Sequence, residues 1–262
     1  MAFEERGSGI LFCEGARRHT YDFASGGYVN LAPPAQSKGG DSKGAVRART
    51  AFLQTEHYRP IADKICELLH KHCSVGGLVV DAGCGEGYYS TLIAKSGFSV
   101  AGFDLSKFAV DAGAKRAKSE ALKNTFFGVA SVYTLPIAEN SADAVVNVFA
   151  PCVEEEYTRV LANDGVLVVV YAGPNHLLGL KAAIYEHTHI NEERADLPRN
   201  MREVERERLT FSIRLDGNEN VKNLFAMTPY YWKTSQSDME KLNFVTDLTT
   251  EVDMIFAVYK KI

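Results

Sequence analysis

The sequence predicts an α/β fold built on a mostly parallel central sheet, and three observations support this prediction. Between about residues 77 and 173, short apolar runs alternate with helix-like segments, which is typical of βαβ units. A glycine-rich turn at residues 80–90 joins the first apolar run to a helix-like stretch. The run at residues 165–172 is continuously apolar, as expected of a strand that is covered on both faces.

The elements before and within this core follow from local patterns. Residues 1–35 are rich in glycine and polar residues, which predicts a loop-like N-terminal extension that closes with an extended segment at residues 32–35. Apolar residues at helical spacing predict a helix over residues 45–73. The core is then predicted to contain five strands, at residues 77–80, 99–103, 124–131, 143–149 and 165–172, and a helix at residues 88–95.

The C-terminal third is predicted from the same kind of pattern. The predicted elements are a helix at about 177–187, a charged solvated helix or mobile connector at 191–208, a strand at 209–215, a short helix with an aromatic turn at 221–232, and the last strands at 245–259. We therefore predict an N-terminal extension at 1–35 and one domain at 36–262. This domain is expected to carry an insertion or lid at about 177–235.

The glycine-rich turn also predicts a ligand. Gly83, Gly85 and Gly87 allow the backbone to turn tightly and to approach a ligand where a Cβ atom would collide. Their G-x-G-x-G spacing follows Asp81 directly, whereas dinucleotide-binding turns favour G-x-G-x-x-G and phosphate-binding loops carry Gly-Lys-Ser/Thr. Neither of those alternatives fits this turn.

Two further strand ends narrow the choice of ligand. The second strand ends at Asp104, where a carboxylate can accept hydrogen bonds from both hydroxyls of a ribose, and the third ends at Ala130 and Ser131, within reach of an adenine edge. Together with Asp81 they favour an adenosine without a pyrophosphate, in the strand order of S-adenosylmethionine (SAM) enzymes. The sequence therefore predicts the Rossmann-like fold of class I SAM-dependent methyltransferases, with an antiparallel last strand and with SAM as the cofactor.

Composition limits the class of protein. With 46% hydrophobic residues, 24% charged residues and no apolar run near the roughly 20 residues that span a membrane, the chain is expected to be cytoplasmic and globular, without a membrane partner. Its five scattered cysteines do not resemble a secreted disulfide framework. The net charge of −4 argues mildly against a protein that coats nucleic acid. The basic run between Lys38 and Arg49 is interpreted as a solvated face, and a nucleic-acid-binding patch is the less favoured alternative.

Several motifs outside the generic SAM fold carry a more specific resemblance. They are His19-Thr-Tyr-Asp-Phe-Ala-Ser-Gly-Gly-Tyr-Val-Asn-Leu31, Arg47-Ala-Arg-Thr-Ala-Phe-Leu53, His57-Tyr-Arg-Pro60, Phe149-Ala-Pro-Cys152, Gly173-Pro-Asn-His176 and Met227-Thr-Pro229. With these motifs and the glycine-rich turn, nearly the whole chain resembles the bacterial RlmA-type guanine-N1 methyltransferases of large-subunit ribosomal RNA. That family includes macrolide-resistance enzymes.

The resemblance implies methyl transfer from SAM to N1 of a guanine in a 23S ribosomal RNA hairpin. It further implies a homodimer and a link to antibiotic resistance. The cofactor-binding residues expected from the strand ends and from the resemblance are Tyr58, Asp81, Gly83, Gly85, Tyr89, Ser90, Asp104, Leu105, Ala130, Ser131 and His176. Phe149 and Pro151 are expected to stack on a base that is turned out of its RNA stack. No catalytic base is assigned.

The family also implies an N-terminal zinc module of three cysteines and one histidine. Cys13 and His19 match its second ligand pair, but no Cys-x-x-Cys precedes them in this chain, and a structural zinc needs four ligands. We therefore expect no bound metal unless an upstream cysteine pair is restored. One alternative function is a small-molecule SAM-dependent methyltransferase that has lost the RNA-binding module, and another is an inactive SAM-binding partner protein.

Overall fold

The computed structural model describes residues 3–5, 10–13, 19–33, 40–192 and 194–262. The strands in these ranges are β1 Phe3–Glu5, β2 Ile10–Cys13, β3 Thr20–Asp22, β4 Val29–Asn30, β5 Leu78–Ala82, β6 Ser99–Asp104, β7 Thr125–Val129, β8 Ala142–Val148, β9 Leu161–Ala172, β10 Met201–Asp216 and β11 Asp247–Lys261. The α-helices are α1 Lys43–Leu53, α2 Arg59–His72, α3 Tyr88–Lys95, α4 Lys107–Ser119, α5 Glu154–Val160, α6 Leu178–Ile184, α7 Asn218–Ala226 and α8 Gln236–Lys241. Two short 3-10 helices lie at Pro229–Trp232 and Leu242–Phe244.

Within the described residues, the main sheet has eight strands in the order β10-β11-β9-β8-β5-β6-β7-β4. Pairing is parallel from β9 through β8, β5, β6 and β7 to β4. The last strand, β11, is antiparallel to both β9 and β10. The prediction of a mostly parallel sheet with an antiparallel last strand is therefore confirmed.

Side chains of the central strands alternate between two cores. Val146 of β8 packs in the cluster that contains Ile65 of α2, whereas its neighbour Val145 packs in the cluster that contains Tyr157 of α5. All four side chains are buried, and burying each such group contributes about 1.5–3 kcal/mol. Because helices and loops cover both faces of these strands, a ligand can bind to the sheet mainly at the strand ends.

The predicted core elements are found, with two additions. The helix α3 has the predicted bounds, and the predicted strands correspond to β5 through β9. One additional helix is α4. The other is α5, which ends where β9 begins at Leu161, earlier than predicted. Its first turn carries Glu154, Glu155 and Glu156 and its last turn carries Arg159, a charge order that favours a helix and could have revealed it.

The prediction of one continuous helix over residues 45–73 is wrong, because the structure has two helices there. The chain leaves the helical path between α1 and α2, where Glu56 has a φ of 61°. A left-handed residue ends a helix. Pro60 then occupies the first turn of α2, a position where its missing N–H is tolerated.

The prediction of a solvated helix at 191–208 is also wrong from Met201 onward, where the long strand β10 begins. This strand lies at the edge of the main sheet and pairs with β11 from Met201 and Lys261 to Asp216 and Asp247. An edge strand tolerates charged side chains, which also discourage pairing with other molecules. The strand predicted at 209–215 is the second half of β10, and the last strands predicted at 245–259 are the single strand β11.

The N-terminal extension is not purely loop-like as predicted. Strands β1, β2 and β3 form an antiparallel sheet, and β4 pairs in parallel with β7 at the edge of the main sheet. Val29 of β4 is fully buried there. Residues 34 and 35 of the predicted extended segment lie outside the described residues.

Within the described ranges, no helix is both long enough and apolar enough to cross a bilayer.

Candidate functional site

The glycine-rich turn between β5 and α3 has the backbone geometry that its sequence predicts. Gly83, Gly85 and Gly87 have φ values of 86°, 54° and 74°, a region that favours glycine. A Cβ atom on Gly83 would lie 2.5 Å from the Cβ of Ala150, and one on Gly87 would lie 2.9 Å from Phe127 ring atoms. The turn therefore requires glycine for its conformation and for its close contacts.

Asp81 lies beneath this turn, near the carboxyl end of β5. It is buried and accepts a hydrogen bond of 2.5 Å from the Ser90 hydroxyl in the first turns of α3. Burial raises the pKa of Asp81 to about 7, although the bond from Ser90 opposes the shift. A buried carboxylate with a raised pKa favours a cationic partner.

Asp104 ends β6 on the other side of the turn. Its carboxylate accepts hydrogen bonds from the backbone N–H of Gly85 at 3.1 Å and of Ser106 at 2.7 Å. Burial raises the pKa of Asp104, and these two backbone bonds oppose the shift. Leu105, the next residue, is partly buried. The structure therefore brings Asp104 against the glycine-rich turn, with Leu105 next to it in the chain.

Ala130 and Ser131 follow β7 and are both buried. The N–H of Ala130 donates to the carbonyl of Asp104 at 3.1 Å, and the Ser131 hydroxyl accepts from the N–H of Tyr133 at 3.2 Å. Both residues line a cleft of about 380 Å³ that extends towards Leu31. The ends of β5, β6 and β7 thus meet at one edge of the sheet.

Tyr58 and His176 form a buried pair beside these strand ends. The Tyr58 hydroxyl lies 3.4 Å from Nε2 of His176, whose Nδ1 accepts the backbone N–H of Asp253 at 3.3 Å. Burial lowers the pKa of His176 to about 4, so the imidazole is neutral at pH 7. Because Nδ1 accepts a hydrogen bond, the ring proton is on Nε2, and this N–H donates a hydrogen bond to the Tyr58 oxygen.

Tyr89 completes the aromatic side of the site. Burial raises its pKa well above the usual value, and the hydroxyl of Tyr58 lies near enough to raise it further. Its ring packs edge to face on Tyr88, with 5.2 Å between the ring centroids. Tyr89 therefore lies close to Tyr58, which in turn contacts His176.

The loop after β8 also borders the site. Phe149 has a φ of 56° and is 47% exposed, an uncommon conformation for a bulky residue. Its ring centroid lies 6.0 Å from that of His176. The next residue, Ala150, is the one that approaches Gly83. Burial raises the pKa of Cys152 to about 11, so its thiol is neutral, as expected of a packing residue.

Sequence reasoning did not identify several residues of this site. Arg49 pairs with Asp41 at 2.5 Å and lies near the position of a Cβ atom on Gly85. It therefore borders the turn and does not belong to a solvated basic face. Lys38, with which this basic run begins, lies outside the described residues.

Other residues join the site through contacts between segments that are far apart in the sequence. Asn191, Arg194 and Asp196 contact the loops after β8 and β9, and Asp253 accepts the N–H of Asn175 at 2.9 Å. Their positions in the sequence carry no motif that identifies them.

Cys13 and His19 of the N-terminal extension are predicted to bind no metal by themselves. Within the described ranges, no cluster of three or more His, Cys, Asp or Glu side chains is arranged to hold a metal ion. The backbone of Cys13 belongs to β2, and His19 is exposed just before β3. Residues 14–18 between them lie outside the described residues, and the absence of zinc stays a prediction.

Known proteins resemble this chain in sequence and in fold. A family model described as a methyltransferase domain matches residues 74–228. The 23S rRNA (guanine(748)-N(1))-methyltransferase of Streptomyces fradiae is 30% identical over 243 residues, which cover 88% of this chain and 83% of that protein. YxjB of Bacillus subtilis, provisionally named a 23S rRNA (guanine-N(1)-)-methyltransferase, is 29% identical over 92% of this chain and 89% of its own length. The solved structure of PH0226 from Pyrococcus horikoshii has a TM-score of 0.52 at 18% identity and covers 78% of this chain and 91% of that one, which is a likeness of fold.

Proposed function

The chain belongs to the 23S rRNA (guanine-N1)-methyltransferase family, and from this premise we propose that it methylates N1 of a guanine in 23S ribosomal RNA. It is a SAM-dependent methyltransferase of class I fold. The observation that carries the proposal is the contact between Gly83 and Ala150. Because of it, a donor bound at the glycine-rich turn and an acceptor bound at the loop after β8 would be neighbours.

The amino-acid end of SAM is assigned to the turn and to Asp81. Gly83 and Gly85 carry no side chain, which allows a ligand to approach the backbone of the turn closely, and the buried Asp81 carboxylate suits the ligand's ammonium group. Ser90 holds that carboxylate in place through its 2.5 Å hydrogen bond. The glycines and the charge at this turn therefore support the assignment to SAM.

The nucleoside end is assigned to the next two strand ends. Asp104 is oriented by two backbone N–H groups, and its carboxylate would accept hydrogen bonds from the ribose hydroxyls. Leu105 would pack against the adenine, and Ala130 and Ser131 would meet its polar edge beside the cleft that they line.

Tyr58, Tyr89 and His176 are assigned to the sulfonium side. Bound SAM supplies a methyl group on a positively charged sulfur, which is already an activated leaving group. An aromatic face such as that of Tyr58 stabilises a cation, and the neutral His176 adds no opposing positive charge. Because the Nδ1 of His176 already accepts a backbone N–H, we assign it to binding and do not assign it the removal of the guanine proton.

The acceptor base is assigned to the loop after β8. A guanine in RNA must leave its stack to expose N1 to a methyl donor. The exposed ring of Phe149 offers a stacking surface next to His176, and Pro151 offers an apolar contact. Alignment of the base with the methyl group, together with exclusion of water, would supply most of the catalysis.

The finer features of the substrate and assembly follow the family resemblance. We infer that the RNA is presented as a hairpin, that the enzyme acts in the cytoplasm as a homodimer, and that the activity is of the kind linked to antibiotic resistance. Two candidate ligands, Cys13 and His19, do not complete a tetrahedral zinc site. We therefore expect RNA methylation by this chain to proceed without added zinc.

Methyl-labelled SAM and unmodified 23S rRNA test the proposal directly. After incubation and digestion of the RNA, labelled 1-methylguanosine is the expected product, and Asp104→Ala serves as the donor-site control. Label in a different nucleoside would contradict the N1 assignment. SAM binding without any RNA labelling would favour the small-molecule alternative.

A further inference from the structure

The connector at residues 191–196 lies between α6 and β10 and contacts both loops that border the acceptor side of the site. One loop covers residues 149–153 after β8, and the other covers residues 173–177 after β9. From composition this connector was expected to be solvated or mobile. Three of its described side chains, Asn191, Arg194 and Asp196, instead form hydrogen bonds to these loops.

Arg194 holds the loop at 149–153 through a backbone carbonyl. Its Nη2 donates to the carbonyl oxygen of Ala150 at 2.6 Å and lies 3.4 Å from Oδ1 of Asn147. The Arg194 side chain is only 14% exposed, and its guanidinium carbon lies 5.8 Å from the ring centroid of Tyr171. Because a guanidinium donates along fixed directions, these contacts fix the orientation of the Ala150 carbonyl.

Asp196 extends this attachment along the same loop. Its carboxylate accepts from Arg194 at 2.5 and 2.9 Å and also from the backbone N–H of Cys152 at 2.9 Å. Between them, the carbonyl of Pro151 accepts from the Tyr157 hydroxyl at 2.9 Å. Ala150, Pro151 and Cys152 therefore each have a hydrogen-bonded backbone group. Side chains of the connector bind the groups of Ala150 and Cys152.

Asn191 holds the second loop in a similar way. Its Nδ2 donates to the carbonyls of Gly173 at 2.8 Å and His176 at 3.3 Å. Its Oδ1 accepts from Nζ of Lys181 at 2.7 Å and from the Tyr230 hydroxyl at 2.8 Å. Two donors and two acceptors thus surround one amide, which fixes its orientation and ties the His176 loop to α6 and to the segment after α7.

We propose that Asn191 and Arg194 are positioning residues, which hold the loops of His176 and Phe149 in register and so align the acceptor base with the methyl donor. The two rings are 6.0 Å apart, and each belongs to one of the loops that the connector holds. The inference rests on the proposed function, because it takes the base to bind against Phe149. A displacement of about 1 Å in such an alignment can lower a rate by on the order of 100-fold.

The kinetic test compares Arg194→Ala, Arg194→Lys and Arg199→Ala. Arg194→Ala is expected to lower kcat for rRNA methylation by roughly 10- to 100-fold while KM for RNA and SAM affinity stay close to wild type. Arg194→Lys keeps the charge but loses the planar fork, so it should lose nearly as much. Arg199→Ala removes an exposed arginine of the same chain segment and is expected to keep the wild-type kcat.

Two kinetic outcomes would overturn the inference. An unchanged kcat in Arg194→Ala would show that the connector does not control alignment. A raised KM for RNA at unchanged kcat would show that Arg194 binds RNA directly, as a phosphate contact. If Arg194→Ala does not fold, Asp196→Asn replaces it, because it keeps the side-chain size while weakening the attachment to Arg194 and Cys152.

Hydrogen exchange supplies a readout that needs no acceptor. In the ligand-free protein, Arg194→Ala should speed amide exchange in residues 149–153, and Asn191→Ala should do so in residues 173–177, each by roughly tenfold or more. If wild-type protein does not methylate rRNA while these exchange changes appear, the proposed acceptor fails and the positioning role stands. Unchanged exchange in both variants would overturn the positioning role whatever the acceptor.

Discussion

The donor side and the acceptor side of the site are built by contacts of different range. On the donor side, Ser90 bonds to Asp81 nine residues away, and Gly85 bonds to Asp104 across 19 residues. On the acceptor side, Arg194 bonds to Ala150 across 44 residues. At the ends of β5 and β6 the donor side is thus formed by consecutive βα units. The acceptor side is assembled from distant segments, as is the Tyr58–His176 pair assigned to the sulfonium.

This difference indicates which half of the site is fixed by the fold itself. A strand, turn and helix place the donor residues as soon as the sheet forms. The acceptor loops depend in addition on one connector and on Asp253 of the last strand. Changes in the two halves should therefore have separable effects, on SAM binding for the first and on methyl transfer for the second.

The largest expected effect is at Gly83, where the two halves touch. Gly83→Ala places a Cβ atom 2.5 Å from that of Ala150, at a φ of 86°. Strain and collision together should weaken SAM binding and activity by roughly 100-fold or more, since such backbone strain alone costs about 1–3 kcal/mol. Isothermal titration measures the loss of SAM affinity, a methyl-transfer assay measures the loss of activity, and thermal unfolding measures the effect of the strain on stability.

Gly76→Ala is the matched control for that variant. Gly76 has a φ of 90°, but a Cβ atom there would have no neighbour within 4 Å in the described structure. It should lower the unfolding temperature while leaving SAM affinity unchanged. Equal losses of SAM affinity in both variants would mean that general destabilisation, and not the contact between the halves, explains the effect.

The next effect tests the donor half alone. Asp104→Ala removes the carboxylate assigned to the ribose and should raise the dissociation constant of SAM roughly 10- to 100-fold, since hydrogen bonds to a charged group contribute about 1.5–3 kcal/mol. Asp63→Asn, at an exposed ion pair of α2, should leave it unchanged. Wild-type SAM affinity in Asp104→Ala would remove this residue from the donor site.

A pH series distinguishes the halves by charge. Because burial raises the pKa of Asp81 to about 7, the carboxylate that SAM requires is progressively protonated below that pH. SAM affinity should therefore fall by up to about tenfold per pH unit below 7. Asp81→Asn should weaken this dependence and leave the part that comes from Asp104, whose pKa burial also raises. His176, with a pKa of about 4, should add no titration between pH 5 and 8.

The same group affects the stability of the ligand-free protein. The folded state keeps the Asp81 proton up to a pH of about 7, whereas an unfolded aspartate releases it near 3.8. The contribution of this group to the free energy of unfolding therefore falls as the pH rises between those values. Denaturant titrations of wild type and Asp81→Asn measure it, and identical pH profiles would contradict the assignment.

The smallest expected effect tests the acceptor half at Phe149. Phe149→Gly removes a ring from a residue with a φ of 56°, so strain of about 1 kcal/mol is relieved while the stacking surface is lost. Activity should fall several-fold with no loss of thermal stability. Phe108→Ala removes an exposed ring from α4 and should not affect methyl transfer; a loss of stability in Phe149→Gly without loss of rate would contradict the stacking role.

Local signals in the sequence locate the strand ends that carry the residues assigned to the donor half. Asp81, the glycines and Asp104 each stand at a strand end that hydrophobic patterning locates. The acceptor half depends on hydrogen bonds from Asn191 and Arg194, whose partners are set by the tertiary fold. In β10, the alternating charges of an edge strand resemble those of a solvated segment. The break between α1 and α2 depends on the backbone conformation of Glu56, which its residue type does not reveal.

The most direct test of this division is single-turnover methyl transfer to 23S rRNA at increasing SAM concentration, with Asp104→Ala and Arg194→Ala side by side. Asp104→Ala should recover most of the wild-type rate at saturating SAM, because only donor binding is impaired. Arg194→Ala should remain slow at every SAM concentration. Recovery of Arg194→Ala by excess SAM, or a defect in Asp104→Ala that saturation does not relieve, would contradict the separation of donor and acceptor halves.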